Sequence, residues 1–272
     1  MTPPFRSSAL RAGFACAAVL FGTVVSQAQV LFDGATTYTQ NFDSLPRSGA
    51  VFTFEDNTTL AGWFSSLGYT GTPNGQVSNG SSATLAGDGT SIYSWGSKGN
   101  PDRALGAFTR MGTATTSHLA LQLQNTSGGV INAITITFDV EQWRRNSKGA
   151  ALAFSYLTTP SNQDFSKSDS GYVTDARGGL REFVTGENGA GVNGNNLRQS
   201  VSFVLNGLAW KNGDYLWLRW SIVDSMSKGA GIGIDNLSIA AVPSAATASV
   251  IPAAPLDRRD ALLAAAAVRR HH

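Results

Sequence analysis

The run Ile134-Thr135-Ile136-Thr137-Phe138-Asp139-Val140-Glu141 decides the fold. Its residues alternate apolar and polar, so an extended backbone puts Ile134, Ile136, Phe138 and Val140 on one face and their neighbours on the other. Outward from it, the alternation begins near Val130 and continues through Gln142-Trp143-Arg144-Arg145 to a turn at Asn146-Ser147-Lys148-Gly149. Beyond the turn Leu152, Phe154 and Tyr156 alternate again. Two such runs joined by a glycine-containing turn predict a β-hairpin with one face in a core.

The same signals recur along the chain. Alternating runs predict strands at 36–42, 62–67, 91–95, 104–109, 118–124, 131–142, 150–158, 180–185, 197–205, 215–223 and 231–239. Asp33-Gly34, Asn74-Gly75, Asn79-Gly80, Asn193-Gly194, Asn206-Gly207 and Asn212-Gly213 supply positive-φ turn chemistry between them. Short strands without a convincing helix predict an all-β, two-sheet antiparallel β-sandwich of the jelly-roll type. Leu119, Leu121, Leu123, Ile134 to Val140, Leu152 to Tyr156, Val201, Phe203 and Leu205 are the expected core. Both parities of Tyr215-Leu216-Trp217-Leu218-Arg219-Trp220 are apolar or aromatic, which predicts a central strand covered on both sides. Breaks of phase at Gln142-Trp143 and Asp235-Asn236 predict β-bulges. The stretches 159–179 and 186–196, rich in Ser, Gly, Asn and Asp, read as long loops, a class enriched in function or mobility.

Residues 1–28 read as a secretory signal peptide: Arg6 and Arg11, an apolar run from Ala12 to Val25, then Ser26-Gln27-Ala28. The run falls short of the ~20 residues of a spanning helix, so no stable membrane span is expected in the mature chain. The single cysteine, Cys16, lies inside this segment, which leaves no disulfide, thiolate metal site or thiol nucleophile beyond it. Residues 29–241 are expected to form one β-sandwich domain, and 242–272 an Ala/Pro-rich tail. Charged residues make up 14% and the net charge is +2, with no basic patch interleaved with aromatics, so nucleic acid is not an expected partner.

Asp102-Arg103-Ala104-Leu105-Gly106, Glu141-Gln142-Trp143-Arg144, Leu152-Ala153-Phe154-Ser155-Tyr156, Leu216-Trp217-Leu218-Arg219-Trp220 and Gly233-Ile234-Asp235-Asn236-Leu237-Ser238-Ile239 occur in this order. Together they resemble a family of secreted bacterial β-sandwich proteins whose members often carry a PEP-CTERM sorting tail. The resemblance spans residues 38–241 and implies architecture and location, secreted or in the cell envelope; the family carries no established activity. Gly229 and Ala230 stand where the family commonly has an acidic residue and a His. Val242-Pro243-Ser244 and Arg269-Arg270 begin and close the tail as a sorting signal does, without its Glu-Pro or its long apolar stretch.

Three chemistries remain. Glu141, Trp143, Arg144 and Arg219 make a candidate polar and aromatic ligand platform, with a polysaccharide or cell-surface glycan as the partner; a bidentate Arg–Glu141 contact is the structural reading of the same residues. Asp43, Asp235 and Asn236 are candidate ligands for a structural calcium ion, because jelly-roll termini lie side by side and oxygen donors suit Ca²⁺. Asp139 and Glu141, at i and i+2, share a strand face as the carboxylate pair of a glycan hydrolase must. The competing reading pairs them with Arg144, Arg145 or Arg219. A secreted, non-catalytic binding or surface-structural module is the expected function, with the hydrolase and a purely structural envelope protein as alternatives. His118, the sole histidine outside the tail, opens a strand and has no nucleophile motif beside it. The six tryptophans are expected in the core or covering sandwich edges, with stacking on sugar faces the other use of those at strand ends.

Overall fold

The alternating runs become twelve strands among the described residues. They are β1 (Val30–Phe32), β2 (Tyr38–Gln40), β3 (Trp63–Ser65), β4 (Ser91–Trp95), β5 (Ala104–Phe108), β6 (Thr116–Asn125), β7 (Ile131–Arg144), β8 (Ala151–Thr159), β9 (Val173–Thr174), β10 (Arg198–Trp210), β11 (Tyr215–Val223) and β12 (Gly231–Ala241). The computed structural model describes residues 29–47, 54–66, 91–97, 100–108, 116–147, 150–180, 185–187, 191–223 and 230–243. The expected signal peptide and the tail beyond residue 243 lie outside them. So do the turns expected at 74–75 and 79–80, and most of the strand expected at 180–185, of which Leu180 is described and bridges Leu152.

The strands form two six-stranded sheets. The first runs β1-β6-β11-β8-β9 with β3 also on β6; the second runs β10-β7-β12-β5-β4 with β2 also on β12. Every pairing is antiparallel except β1 on β6. From β6 onward the long strands alternate between sheets, with β6, β8 and β11 in one and β7, β10 and β12 in the other, as in a jelly roll.

This corrects the expected hairpin. β7 and β8 do not pair; they lie in opposite sheets, and the chain crosses the sandwich between them. Their apolar alternation is correct, because each strand buries one face, but both faces turn into the same interior from opposite sides. That interior holds Leu119, Leu121, Leu123, Ile134, Ile136, Phe138, Val140, Leu152, Phe154, Val201, Phe203 and Leu205, all buried in one cluster. All six tryptophans are fully buried, so none of the rings expected at strand ends is free to stack on a sugar as the chain stands.

Both expected bulges are present. Gly231 faces Arg144 and Ile232 faces Gln142, which leaves Trp143 as the extra residue of β7; the second shift falls between Asp235 and Ser238. At the latter, Asn236 takes φ = 50°, a left-handed conformation that Asn tolerates better than most residues. The shift turns Leu237 and Ile239 inward after Ile232 and Ile234, keeping β12 in register with the core on both sides of the bulge.

Candidate functional site

The pleat that turns Leu216, Leu218, Trp220 and Ile222 inward turns Tyr215, Trp217, Arg219 and Ser221 outward from the first sheet. β11 is central there, so these residues have neighbours on both sides. Trp217 faces Gln122 of β6 and Leu157 of β8; Arg219 faces Ala120 and Ser155; Ser221 faces His118. Such a face on an outer sheet would ordinarily be wet. Here the segment 160–172 lies over it as a strap.

Phe165 and Tyr172 of the strap pack with Phe64, Ala120, Leu157 and Trp217, and Phe165 meets the Trp217 ring edge-on at 6.2 Å. The Arg219 guanidinium sits 3.8 Å from the centre of the Tyr172 ring, within cation–π range. Arg219 Nη1 donates to the Ser168 carbonyl at 2.7 Å and lies 3.1 Å from the Asp169 carboxylate. A second ion pair, Lys167–Asp56 at 3.3 Å, ties the strap to the loop before β3. His118 shares a 2.7 Å hydrogen bond with Ser221, with its Nε2 3.9 Å from Asp169. Burial and then the neighbouring Arg219 hold the His118 pKa below its ordinary value.

Between the strap and the sheet several polar groups have no protein partner. Trp217 Nε1, Gln122 Nε2, Tyr172 Oη and Ser166 Oγ are buried without a hydrogen-bond partner. Each such group costs roughly 1–3 kcal/mol if it stays unpaired, so the cover of this face asks for an explanation. Aromatic surface beside unpaired hydrogen-bond donors is the chemistry that grips a sugar: rings for its C–H face, donors for its oxygens.

The outer face of the second sheet holds the other candidates. Glu141 and Trp143 of β7 point out of the core, and Trp143 Nε1 donates to Glu141 at 2.9 Å. Trp143 lies over Gly194, where a Cβ would stand 2.3 Å from the ring. Asp235 of β12 pairs with Asp139 across the strands, and Glu141 pairs with Gly233, which places Glu141 and Asp235 diagonally on one face. Both are 2% exposed. Burial pushes the Glu141 pKa up to about 7, reinforced by Asp102 and Asp139 and opposed by the Trp143 hydrogen bond and Arg198. Burial likewise pushes Asp235 up to about 8, reinforced by Glu141, Asp102 and Asp43 and opposed by the Asn236 backbone N–H. Asp235 Oδ1 finds no partner. The cation of this corner is Arg103, 1% exposed, whose guanidinium bonds Ser94 and the Ser97 carbonyl and whose pKa burial lowers to about 10.

The expected ligand platform therefore splits in two. Glu141, Trp143 and Arg144 are on the second sheet; Arg219 is on the first, and no Arg219–Glu141 contact exists. The cation near Asp139 and Glu141 is Arg198 of β10, with Nη1 3.9 Å from Asp139, because the register sets Arg198 opposite Glu141. It replaces the expected Arg144, Arg145 or Arg219. The expected calcium ligands are gathered only in part. Asp43 acts electrostatically on Asp235, but its oxygens accept from Arg103 N at 3.1 Å and Asn41 Nδ2 at 2.8 Å. Asn236 turns its amide to Asp139 at 3.1 Å. Among the described residues no three His, Cys, Asp or Glu side chains are placed to hold a metal ion.

Gln122, Ser166, Asp169 and Tyr172 were not singled out from the sequence. For the last three the signal is the loop 159–179 itself, a polar segment carrying two large aromatics, Phe165 and Tyr172, that a solvated loop does not need; Gln122 sits in β6 and carries no such signal.

No family model and no curated protein matches the chain. Among solved structures it is similar to the CBM22-1 xylan-binding domain of Paenibacillus barcinonensis Xyn10C (13% identity, 76% of this chain and 95% of that one, TM-score 0.37). It is also similar to the K1 cleaved adhesin domain of Lys-gingipain from Porphyromonas gingivalis W83 (15%, 76% and 99%, 0.35) and to the xylan-binding module CBM15 (11%, 51% and 84%, 0.29). At these identities and scores, what those proteins bind stays with them.

Proposed function

We propose that the protein is a secreted, non-catalytic glycan-binding module that uses the outer face of the first sheet around Trp217 and Arg219. The carrying observation is the set of unpaired polar atoms, Trp217 Nε1 and Gln122 Nε2 on the sheet and Tyr172 Oη and Ser166 Oγ on the strap, together with the rings of Phe64, Phe165 and Tyr172 packed on Trp217. The test is electrophoretic retardation of the full-length protein in gels containing xylan, mixed-linkage β-glucan, polygalacturonate or alginate, with Tyr172→Phe beside the wild type. The variant keeps the ring and deletes a hydroxyl that has no protein partner, so it is expected to melt at the same temperature or higher while retardation falls several-fold. Absence of retardation by every glycan sinks the reading and leaves the structural-protein alternative.

A calcium ion held at the corner of the second sheet is the accompanying reading. Its support is the buried, unpartnered Asp235 oxygen with the Asp43 carboxylate in electrostatic reach; Asn236, committed to Asp139, is left out of the ligand set. Chelator is then expected to lower the melting temperature and excess Ca²⁺ to restore it. An unchanged melting curve dismisses an exchangeable stabilising ion.

A further inference from the structure

The unpaired polar atoms buried between the first sheet and its strap lean towards donors, while the carboxylates nearby, Asp164 and Asp169, belong to the strap. Trp217 Nε1, Gln122 Nε2 and the Arg219 guanidinium can only donate, and Tyr172 Oη and Ser166 Oγ are unengaged hydroxyls. The one carboxylate that meets Arg219 comes from the strap, and it is badly placed for a structural ion pair. The Asp169 side chain is 84% exposed, whereas Arg219 is 7% exposed. Arg219 is held from below and beside by Ser155 Oγ at 3.3 Å, the Ser168 carbonyl and the Tyr172 ring.

A half-exposed ion pair of this kind contributes about 0–1 kcal/mol, so a second carboxylate can replace Asp169 at little cost. It would inherit an arginine whose other contacts already fix its fork, the arrangement that favours bidentate carboxylate recognition. Resting on the glycan-binding reading above, we propose that the glycan taken by this face is acidic: a uronate polysaccharide whose carboxylate displaces Asp169 from Arg219.

The experiment compares binding of the full-length protein to polygalacturonate, to the same polymer methyl-esterified, and to neutral xylan, by titration calorimetry at physiological salt. Wild-type protein is expected to prefer polygalacturonate over the esterified polymer by about tenfold or more. Asp169→Asn removes the competing carboxylate and is expected to tighten polygalacturonate several-fold without changing the melting temperature. Glu187→Gln makes the same change of charge on another exposed loop and is expected to do nothing; equal tightening by it would reduce the effect to net charge and overturn the proposal. Arg219→Lys keeps the charge, loses the fork, and is expected to weaken polygalacturonate about tenfold. Should that variant fail to fold, the Asp169→Asn and esterification arms still decide. Equal affinity for free and esterified polymer overturns the uronate assignment. Binding of xylan that neither variant alters overturns it too, but leaves the binding module standing. Binding to no glycan overturns both.

Discussion

At the residue scale the two outward carboxyls of the second sheet make a signed prediction. Glu141 and Asp235 have folded pKa values of about 7 and about 8, against 4.5 and 3.8 for the free groups. Between roughly pH 4 and 8 the folded chain therefore holds protons that the unfolded chain has released, and stability falls as pH rises through that window. Below it both states are protonated and the penalty vanishes; above it the penalty is complete. His118, whose pKa is lowered, acts in the opposite direction from its ordinary value of 6.5 downward, so the clean readout is a difference. In chelator, Asp235→Asn keeps an oxygen for the Asn236 N–H, cannot ionise, and is expected to exceed wild type by on the order of 1–2 kcal/mol at pH 8 and by nothing at pH 4. A wild-type advantage at pH 8 would mean that the Asp235 charge is matched in the folded state. The sequence placed Asp139 and Glu141 on one face through period two alone. Their partners were out of its reach, because Arg198 and Asp102 arrive through the registers of β10 and β5, which no local pattern encodes.

At the element scale, β12 opens with Gly231-Ile232-Gly233, which the sequence shows only as a strand with small outward residues. The reason is a ring: Trp95 of β4 lies flat across β5 and β12 and stacks on Tyr93 at 4.5 Å. A Cβ at Gly106 would stand 2.1 Å from the Ile232 carbonyl oxygen and 2.4 Å from Trp95; one at Gly231 would stand 2.7 Å from the same ring. Backbone oxygen and a buried indole cannot both give way, so Gly106→Ala is expected to cost about 3 kcal/mol or more. Gly129→Ala, with open space around the Cβ, is the control and should stay within about 0.5 kcal/mol; urea melts of both variants check the contrast. A mild effect at Gly106 would show that Trp95 does not lie on that floor. Strand positions were legible for the same reason that the glycine floor was not. Ten of the expected runs coincide with β2–β8 and β10–β12, because each has a face in the core that period two reveals. β1 and β9, of three and two residues with exposed side chains such as Leu31 and Val173, have too little alternation to register, and β1 runs parallel on an edge.

At the scale of the whole molecule, the hairpin error is instructive, because local pattern specifies that a strand has a buried face and leaves open which sheet supplies its neighbours. β7 and β8 alternate as hairpin partners would, yet their long partners are distant in sequence: β7 pairs with β10 and β12, and β8 with β11 on one side and only the two-residue β9 on the other. No pair of consecutive long strands from β6 to β12 forms a hairpin that could stand alone, so neither sheet closes without the chain crossing the interior repeatedly. Aromatic contacts hold the two layers together at those crossings. Trp220 of the first sheet meets Phe138 of the second edge-on at 5.6 Å, and Phe154 meets Phe203 at 5.3 Å. Removing one of these rings should therefore destabilise both sheets at once. Phe138→Ala is expected to cost about 3–5 kcal/mol, the usual range for an aromatic cavity, while unfolding remains a single transition in which far-UV and near-UV circular dichroism coincide. Two separated transitions, with one sheet outlasting the other, would show that the layers are independently stable and that the crossings connect them without coupling them.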